Sequence, residues 1–168
     1  MKKTFFLLLL ASSIIFISCS SESGGMSETA KKNIAINDSI TQAYQRGDFS
    51  KMGDYIAADA VDHAGEKGDV VGLDSIVADM KRYHEMMPDM KILSSKSLAD
   101  DEYVYTWAEM KATMMGKEMT IKSVDIAKFK DGKAVEHWMY MDPKDMAAMM
   151  ESMPPQASPT GSDAATTN

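Results

Sequence analysis

"DGKAVEHWMYMD", residues 131–142, combines a turn signal with a strand signal. Asp131-Gly132 is typical of a two-residue β-hairpin turn, because both central positions of such a turn favour residues that adopt positive φ. The residues that follow include Val, Trp and Tyr, which are enriched in β-strands. We therefore predict a strand over Lys133–Met141 that runs antiparallel to the strand before the turn.

The segment before this hairpin also has the period of a β-strand, with apolar residues recurring at alternate positions. We predict three further strands after Pro88, at Met90–Leu98, Tyr103–Thr113 and Glu118–Phe129, joined by short turns. Together with the last strand they predict an antiparallel meander of four long strands.

The residues before Pro88 have a different period, about 3.6 residues, which is that of amphipathic helices. The first predicted helix carries Ile36 and Ile40 on one face and ends at Gly47. A short second helix follows Asp48, and the third spans Leu73–Tyr83. A half-apolar sheet must bury one face, so we expect an α+β domain whose curved sheet wraps around three N-terminal helices.

The N-terminal residues are typical of an exported bacterial lipoprotein. Residues 1–18 have a basic start and an apolar run of signal-peptide length, and Cys19, the sole cysteine, follows directly. The segment resembles a lipobox, so we expect cleavage before Cys19, lipidation of its thiol and a polar tether over residues 19–28. The expected location is the cell envelope, on the periplasm-facing side of the outer membrane.

Residues 153–168 are rich in Pro, Ser, Thr, Ala and Gly, so we predict a disordered tail. The folded domain is then predicted to be residues 29–152. The net charge of −7 without a basic stripe argues against nucleic acid as a partner. We find neither a glycine-rich phosphate loop nor a complete metal-ligand set in the sequence, and we expect no cofactor.

The order of these elements resembles the SnoaL-like polyketide cyclases of the nuclear transport factor 2-like superfamily. The matching features are the helical stretch AYQRGDFSKMGDYIAADAVDH (residues 43–63), Pro88-Asp89, Asp131-Gly132-Lys133, Glu136-His137-Trp138 and Asp142. The resemblance covers residues 33–142. It implies a cone-shaped α+β barrel with a pocket between the sheet and the helices.

The resemblance also implies site residues. Asp142 matches the aspartate that abstracts a proton next to a carbonyl in the cyclases, and His63 matches a histidine at the pocket mouth. Where the cyclases have a further histidine, the third predicted strand has Ser123 and Asp125. Asp142 is equally suited to capping a helix after Pro143, and this alternative stays open.

Alternation along the last strand places Glu136, Trp138, Tyr140 and Asp142 on one face and His137 on the other. We interpret the first face as the pocket wall and His137 as a residue of the outer sheet surface. The side chains predicted to contact the ligand are Trp138, Tyr140, Glu136, Trp107, Tyr105 and Tyr83. His63 is either a site residue or a surface residue. As a site residue it is expected to pair with Asp59 or Asp142, because its neighbour Asp62 points to the opposite face.

The leading functional hypothesis is a lipid-anchored protein that binds a small, largely apolar molecule. If it is an enzyme, we expect Asp142 to abstract a proton next to a carbonyl and His63 to be the electrophilic or proton-shuttling partner. The alternative is a non-enzymatic module that binds a partner or a second copy through the sheet face. A less favoured hypothesis is Cu(I) binding, because the chain has 17 methionines with pairs such as Met146/Met149 and Met150/Met153, and Met86-Met87. Flexible core packing also explains methionine.

Overall fold

The structure, a computed structural model, describes residues 25–152; the predicted signal peptide, Cys19 and the C-terminal tail lie outside them. The strands, in chain order, are β1 (Ile56–Asp62), β2 (Val70–Val71), β3 (Lys91–Ala99), β4 (Tyr103–Met114), β5 (Lys117–Lys130) and β6 (Lys133–Met141). They form one curved sheet in the order β2-β1-β6-β5-β4-β3. The predicted α+β class and the meander of four long strands, β3 to β6, are confirmed.

The described helices are α1 (Glu28–Arg46), α2 (Met52–Tyr55), α3 (Leu73–Met86) and α4 (Pro143–Ser152). Ser27 caps α1 by accepting a hydrogen bond from the Ala30 N–H, and Gly47 ends the helix in the left-handed conformation. The first three helices lie against the inner face of the sheet, as predicted. None of the helices within residues 25–152 is long and apolar enough to cross a membrane.

The first strand differs from the other long strands in direction. β1 runs parallel to β6, with Asp62 aligned with His137, whereas β3, β4, β5 and β6 are antiparallel to their neighbours in the meander. The sequence predicts only a brief extended segment here, and the structure extends it to seven residues, Ile56–Asp62. β1 therefore brings the loop that follows it, which begins at His63, beside β6.

A bulge near the start of β6 sets which of its side chains point inward. The hairpin pairs Phe129 with Ala134, but the next pair is Lys128 with Glu136, so Val135 is an extra residue without a counterpart on β5. A β-bulge bends a strand and reverses the faces of the residues beyond it. Similar register shifts occur in the β3–β4 pair, between Ile92 and Ser94, and in the β1–β6 pair.

The inner face of the sheet carries two separate groups of buried apolar side chains. The first core cluster lies under α1, α2 and α3 and contains Ala43, Met52, Ile56, Ala60, Ile76, Val104, Ala127, Phe129 and Ala134. The second lies near the β4–β5 turn and contains Met87, Ala112, Met114, Met119 and Ile121. The buried apolar core therefore has two separate parts, which follow one another along the direction of the strands.

Gly47, at the end of α1, is a position where the packing around the first core cluster can be tested. A Cβ on Gly47, where φ is +66°, would lie 2.6 Å from Nε2 of His84. The His84 ring cannot easily move, because its centroid is 5.8 Å from that of Tyr44 and 5.9 Å from that of Phe49. We expect Gly47→Ala to lower the free energy of unfolding by roughly 2–3 kcal/mol, from left-handed strain and overpacking together.

Gly116→Ala is the matched control, because Gly116 has a similar φ of +79° with no atom within 4 Å of its Cβ position. It should cost only the backbone strain, about 1 kcal/mol. Urea unfolding midpoints measure both variants. Equal losses would show that the His84 ring does not confine this position.

Candidate functional site

His137 lies on the inner face of the sheet. It is directly opposite Ala127 on β5, and Ala127 belongs to the first core cluster. Residues opposite each other on antiparallel strands point to the same face. Asp125, two residues before Ala127, lies on that face as well. The prediction that His137 belongs to the outer surface is therefore wrong, because the bulge at Val135 reverses the faces of β6.

His137 contacts one carboxylate on each neighbouring strand. Its Nδ1 is 3.0 Å from Oδ1 of Asp62 on β1, and its Nε2 is 3.4 Å from Oδ1 of Asp125 on β5. The Ser123 hydroxyl donates a hydrogen bond of 2.7 Å to Oδ2 of Asp125. The backbone N–H of Ala64 donates to Oδ1 of Asp62 at 2.9 Å. We refer to Asp62, Ser123, Asp125 and His137 as the His137 cluster.

The two carboxylates determine the charge of the imidazole. Burial alone would lower the pKa of His137, but the hydrogen bonds and charges of Asp125 and Asp62 outweigh it and raise that pKa to about 9. Burial likewise opposes ionisation of Asp62, yet the bond from His137 holds the pKa of Asp62 below its ordinary value. At neutral pH the cluster is therefore an imidazolium between two carboxylates, with a proton on each ring nitrogen.

The His137 cluster interrupts the apolar inner face. Along β5 the inward side chains run from Phe129 and Ala127 of the first core cluster, through Asp125 and Ser123, to Ile121 of the second. Three of the four cluster side chains remain accessible to solvent, with exposed fractions of 36% for His137, 29% for Asp125 and 24% for Asp62. The His137 cluster therefore separates the two apolar core clusters, and most of its side chains are accessible to solvent.

Further polar groups continue from Asp125 across the sheet. Thr106 on β4 is directly opposite Asp125, and Ser97 on β3 is directly opposite Thr106. The two hydroxyls are hydrogen bonded at 2.9 Å, and Asn37 of α1 donates to the Thr106 hydroxyl at 3.3 Å. Together with Asp62 and His137 these residues form a polar row that crosses five strands of the inner face.

The residues predicted as the pocket wall lie on the opposite, outer face. Glu136, Trp138 and Tyr140 are opposite Lys128, Ile126 and Val124 of β5, respectively. Tyr140 is 59% exposed, and on β4 Tyr105 and Trp107 are 41% and 42% exposed. The predicted placement of Glu136, Trp138 and Tyr140 around the pocket is wrong because the bulge at Val135 reverses the faces of β6. Tyr105 and Trp107 lie outside for a different reason: in the regular β4–β5 pairing they alternate with the inward Val104 and Ala108.

His63 also lies on the outer face, where it stacks on Trp138 with ring centroids 4.8 Å apart. Its Nδ1 is 3.0 Å from Asp69 and its Nε2 is 3.3 Å from Glu136. These carboxylates, Asp69 most strongly, raise the pKa of His63 above its ordinary value. The expected partners Asp59 and Asp142 are thus replaced by Asp69 and Glu136.

Asp142 is exposed and caps α4. Its Oδ1 accepts a hydrogen bond of 2.9 Å from the Lys144 N–H, and its carbonyl accepts from the N–H of Met146. The structure therefore places Asp142 at a helix N-terminus and not in the cone, as the capping alternative predicts. Tyr83, the remaining predicted ligand residue, lies half-buried on α3, and its proximity adds to the burial that raises the pKa of Tyr44 to about 12.

Sequence reasoning missed most of the His137 cluster because it took β6 to be regular. In an unbulged hairpin, Ala127 would be opposite Glu136, and Glu136 would then point inward. A partial signal was present on β5, where Lys122, Lys128 and Lys130 alternate with Ser123, Asp125 and Phe129. Lysines mark a solvated face, so the face of Ser123 and Asp125 is the inner one.

Two surface grooves lie away from this site. One, of about 550 Å³, is formed by Gly25–Ala30 and Ala99–Tyr103. The other, of about 460 Å³, lies between the α2 region and α3 and is lined partly by Phe49, Leu73 and Lys81. Neither groove includes a residue of the His137 cluster.

The pairing of His137 predicts how its imidazole titrates. In NMR spectra of its ring carbons, His137 should remain protonated through neutral pH and lose its proton near pH 9. Because the folded pKa is raised, the stabilisation from protonation is complete below pH 6.5 and is lost as the pH rises towards 9. Asp62→Asn should lower the pKa of His137.

Asp69→Asn is the control for that titration, because it removes the corresponding carboxylate from His63 on the outer face. It should lower the pKa of His63 and leave the titration of His137 unchanged. A His137 ring that titrates at an ordinary histidine pKa in the wild type would contradict the paired geometry.

Comparison with known proteins identifies the fold. The solved structures that resemble this chain include a SnoaL-like protein from Jannaschia sp. CCS1, with 13% identity, 79% of this chain and 99% of that chain covered, and a TM-score of 0.67. They also include Bal32a from a soil-derived mobile gene cassette, with 21% identity, 74% and 98% covered, and a TM-score of 0.65.

A third is a nuclear transport factor 2-like protein of unknown function from Burkholderia pseudomallei K96243, with 19% identity, 72% and 96% covered, and a TM-score of 0.63. No curated protein matches the chain. The sequence profile of the SnoaL-like polyketide cyclases matches residues 35–150, which is more than half of the chain. The chain therefore belongs to the SnoaL-like polyketide cyclase family.

Proposed function

We propose that the domain binds a small, largely apolar molecule on the inner face of the cone and that the His137 cluster contacts the polar group of that molecule. The observation that carries this proposal is the accessible polar row between two apolar core clusters. Ligand sites commonly combine apolar walls with a few convergent polar groups, because the walls supply affinity and the polar groups fix orientation. Membership of a cyclase family supports the same conclusion.

The two nitrogens of His137 are suited to different tasks. The Nδ1–H donates to Asp62 at 3.0 Å, and this bond fixes the orientation of the ring. The Nε2 lies 3.4 Å from Asp125, beyond the usual length for a charge-assisted hydrogen bond. The Nε2–H is therefore the donor available for a carbonyl or anionic oxygen of a ligand.

The same geometry supports proton abstraction next to a carbonyl, with a different base from the one the sequence suggested. Asp125 would accept the proton from the carbon. The electron pair of the broken C–H bond would form the carbon–carbon double bond of the enolate, and the π pair of the carbonyl would move to its oxygen. His137 would stabilise the negative charge on that oxygen as an enolate forms. Ser123 donates to Oδ2 of Asp125, so Oδ1 would take the proton once the Nε2–H, now 3.4 Å away, turns to the substrate oxygen.

β-Tetralone tests both parts of this proposal, because it is apolar and has an acidic C–H next to a ketone. Added to the protein in D₂O, it should shift the ring signals of His137 and leave those of His63 unchanged. The wild type should accelerate deuterium incorporation next to the carbonyl. Asp125→Asn should retain binding and lose at least about a hundredfold of that rate, as expected for loss of a general base.

His137→Gln and His63→Gln form the matched pair of variants, since they remove an imidazole from opposite faces of the sheet. His137→Gln should weaken tetralone binding by about tenfold, the effect of losing a hydrogen bond from a charged donor. His63→Gln should bind as the wild type does. If the probe shifts only outer-face signals, the inner-face site is refuted; if it binds without exchange, the catalytic part is refuted.

We also propose that the mature protein is anchored in the cell envelope by lipid on Cys19, facing the periplasm from the outer membrane. The support is the sequence alone: a basic n-region, an apolar segment and the lipobox-like residues before Cys19. One acyl chain holds a protein on a bilayer only weakly, whereas several chains hold it stably, so this proposal requires multiple acylation.

The outer face favours a second candidate function, association with a second copy of the chain. Two adjacent rows of the sheet carry mostly apolar side chains, which we name the outer apolar band: Leu98, Tyr105, Trp107, Val124, Ile126, Trp138 and Tyr140. Lys128 is opposite Glu136 on one side of the band, and Glu109 is opposite Lys122 on the other. Each side of the band therefore carries one lysine and one glutamate. This distribution suits a two-fold interface, in which the same patch of each copy contacts that of the other.

Trp107→Lys tests this interface, because it puts a charge in the middle of the outer apolar band. Sedimentation should show a dimer for the wild type and a monomer for the variant at the same concentration. Met115→Lys is the control, since Met115 is 71% exposed at the β4–β5 turn, outside the band. A wild-type chain that sediments as a monomer at high concentration would exclude this function.

A further inference from the structure

The second core cluster consists almost entirely of methionine. Its buried members are Met87, Met114 and Met119 with Ala112 and Ile121, and five partly buried methionines pack against them: Met86, Met90, Met110, Met141 and Met149. We refer to these eight methionines as the methionine cluster. Leucine or isoleucine would supply similar apolar volume, whereas methionine also supplies a soft sulfur donor, so the fold gathers eight thioethers in one region.

The cluster is assembled by the fold and not by a local sequence repeat. Its methionines come from the end of α3, the loop before β3, and from β4, β5, β6 and α4. Helix α4 is fixed over this end of the sheet by Asp145, whose carboxylate accepts the Lys122 N–H at 2.9 Å, and by the cap at Asp142. Met149 thereby joins residues that are distant in sequence.

This arrangement differs from the methionine pairs that suggest copper in the sequence. Met146 and Met150 are exposed on α4, and Met153 lies outside the described residues. From those motifs only Met86, Met87 and Met149 belong to the cluster. A thioether site, if built by this fold, therefore depends on β4, β5 and β6 as much as on α4.

The burial of the cluster is graded in a way that suits ion entry. Met87, Met114 and Met119 are buried, whereas the remaining five are only partly covered. Methionine side chains have three rotatable bonds, so the partly covered ones can turn their sulfurs toward an ion without a change in the backbone. The net charge of −7 also favours the approach of a cation.

We propose that the methionine cluster binds a soft monovalent cation, Cu(I), with Ag(I) as a redox-inert substitute. Thioethers are neutral, soft donors that select Cu(I), whereas Zn(II), Mg(II) and Ca(II) prefer imidazole, thiolate or oxygen ligands. Within residues 25–152, no group of three or more His, Cys, Asp or Glu side chains is arranged to hold such an ion. The proposed site adjoins the His137 cluster, because Met141 is directly opposite Ser123, but it uses none of the side chains of that cluster and does not depend on the proposed ligand-binding function.

Ag(I) titration of the full chain, labelled with carbon-13 at the methionine methyl groups, tests the proposal. The Cys19→Ser variant should be used throughout, because the thiol of Cys19 would otherwise bind the ion. With silver nitrate in chloride-free buffer, methyl signals of the methionine cluster should shift and saturate at a fixed ratio of ion to protein. Shifts confined to exposed methionines such as Met26, Met115 and Met150 would overturn the proposal.

Leucine substitutions separate ion binding from packing, because methionine and leucine have similar volumes. Met141→Leu combined with Met149→Leu should weaken Ag(I) binding at least tenfold, with little change in the urea midpoint. Met26→Leu combined with Met115→Leu, both exposed positions, is the matched control and should bind as before. Equal affinity in the two double variants would mean that the cluster is only a flexible core.

Discussion

One extra residue in β6 determines which side chains of that strand lie on the inner face of the sheet and which lie on the outer face. Because Val135 has no counterpart on β5, the strand beyond it presents His137 to the helices and Trp138 to solvent. In a regular hairpin the imidazole would be outside and Glu136 would lie against the core without His63 and Lys128 as partners. An unpaired carboxylate at that position would lose its hydration without a compensating partner. The bulge avoids this cost, because it places Glu136 on the outer face.

The two histidines next to this bulge occupy related but chemically different surroundings. His63 and His137 are joined through the backbone, since the His63 N–H donates to the His137 carbonyl at 2.8 Å. Each ring contacts two carboxylates, but His63 does so on the outer surface, stacked on Trp138, and His137 does so between two apolar core clusters. Both rings keep part of their side-chain surface exposed, 25% for His63 and 36% for His137, so the two surroundings differ in their apolar neighbours: Trp138 on the outer face and two core clusters on the inner face.

The sequence was sufficient for the fold and insufficient for the site, for a physical reason. Strand positions follow from local alternation and turn residues, so Lys133–Met141 was predicted with its observed bounds and the other long strands to within one residue at each end. Which face is buried depends on a register that Val135 shifts, and valine is an ordinary strand residue that gives no sign of a bulge. The contact between Asp62 and His137 joins residues 75 positions apart. It arises from the parallel pairing of β1 with β6, which no turn motif in the sequence predicts.

The register shift in β3 has a consequence for behaviour at high protein concentration. β3 is an edge of the sheet, and a long edge with unpaired N–H and C=O groups invites strand addition from another molecule. Here the irregularity between Ile92 and Ser94 breaks the flat edge, and Lys91 and Lys96 place ammonium groups along it. These features oppose cross-β growth from this edge, where Leu93 and Leu98 are exposed.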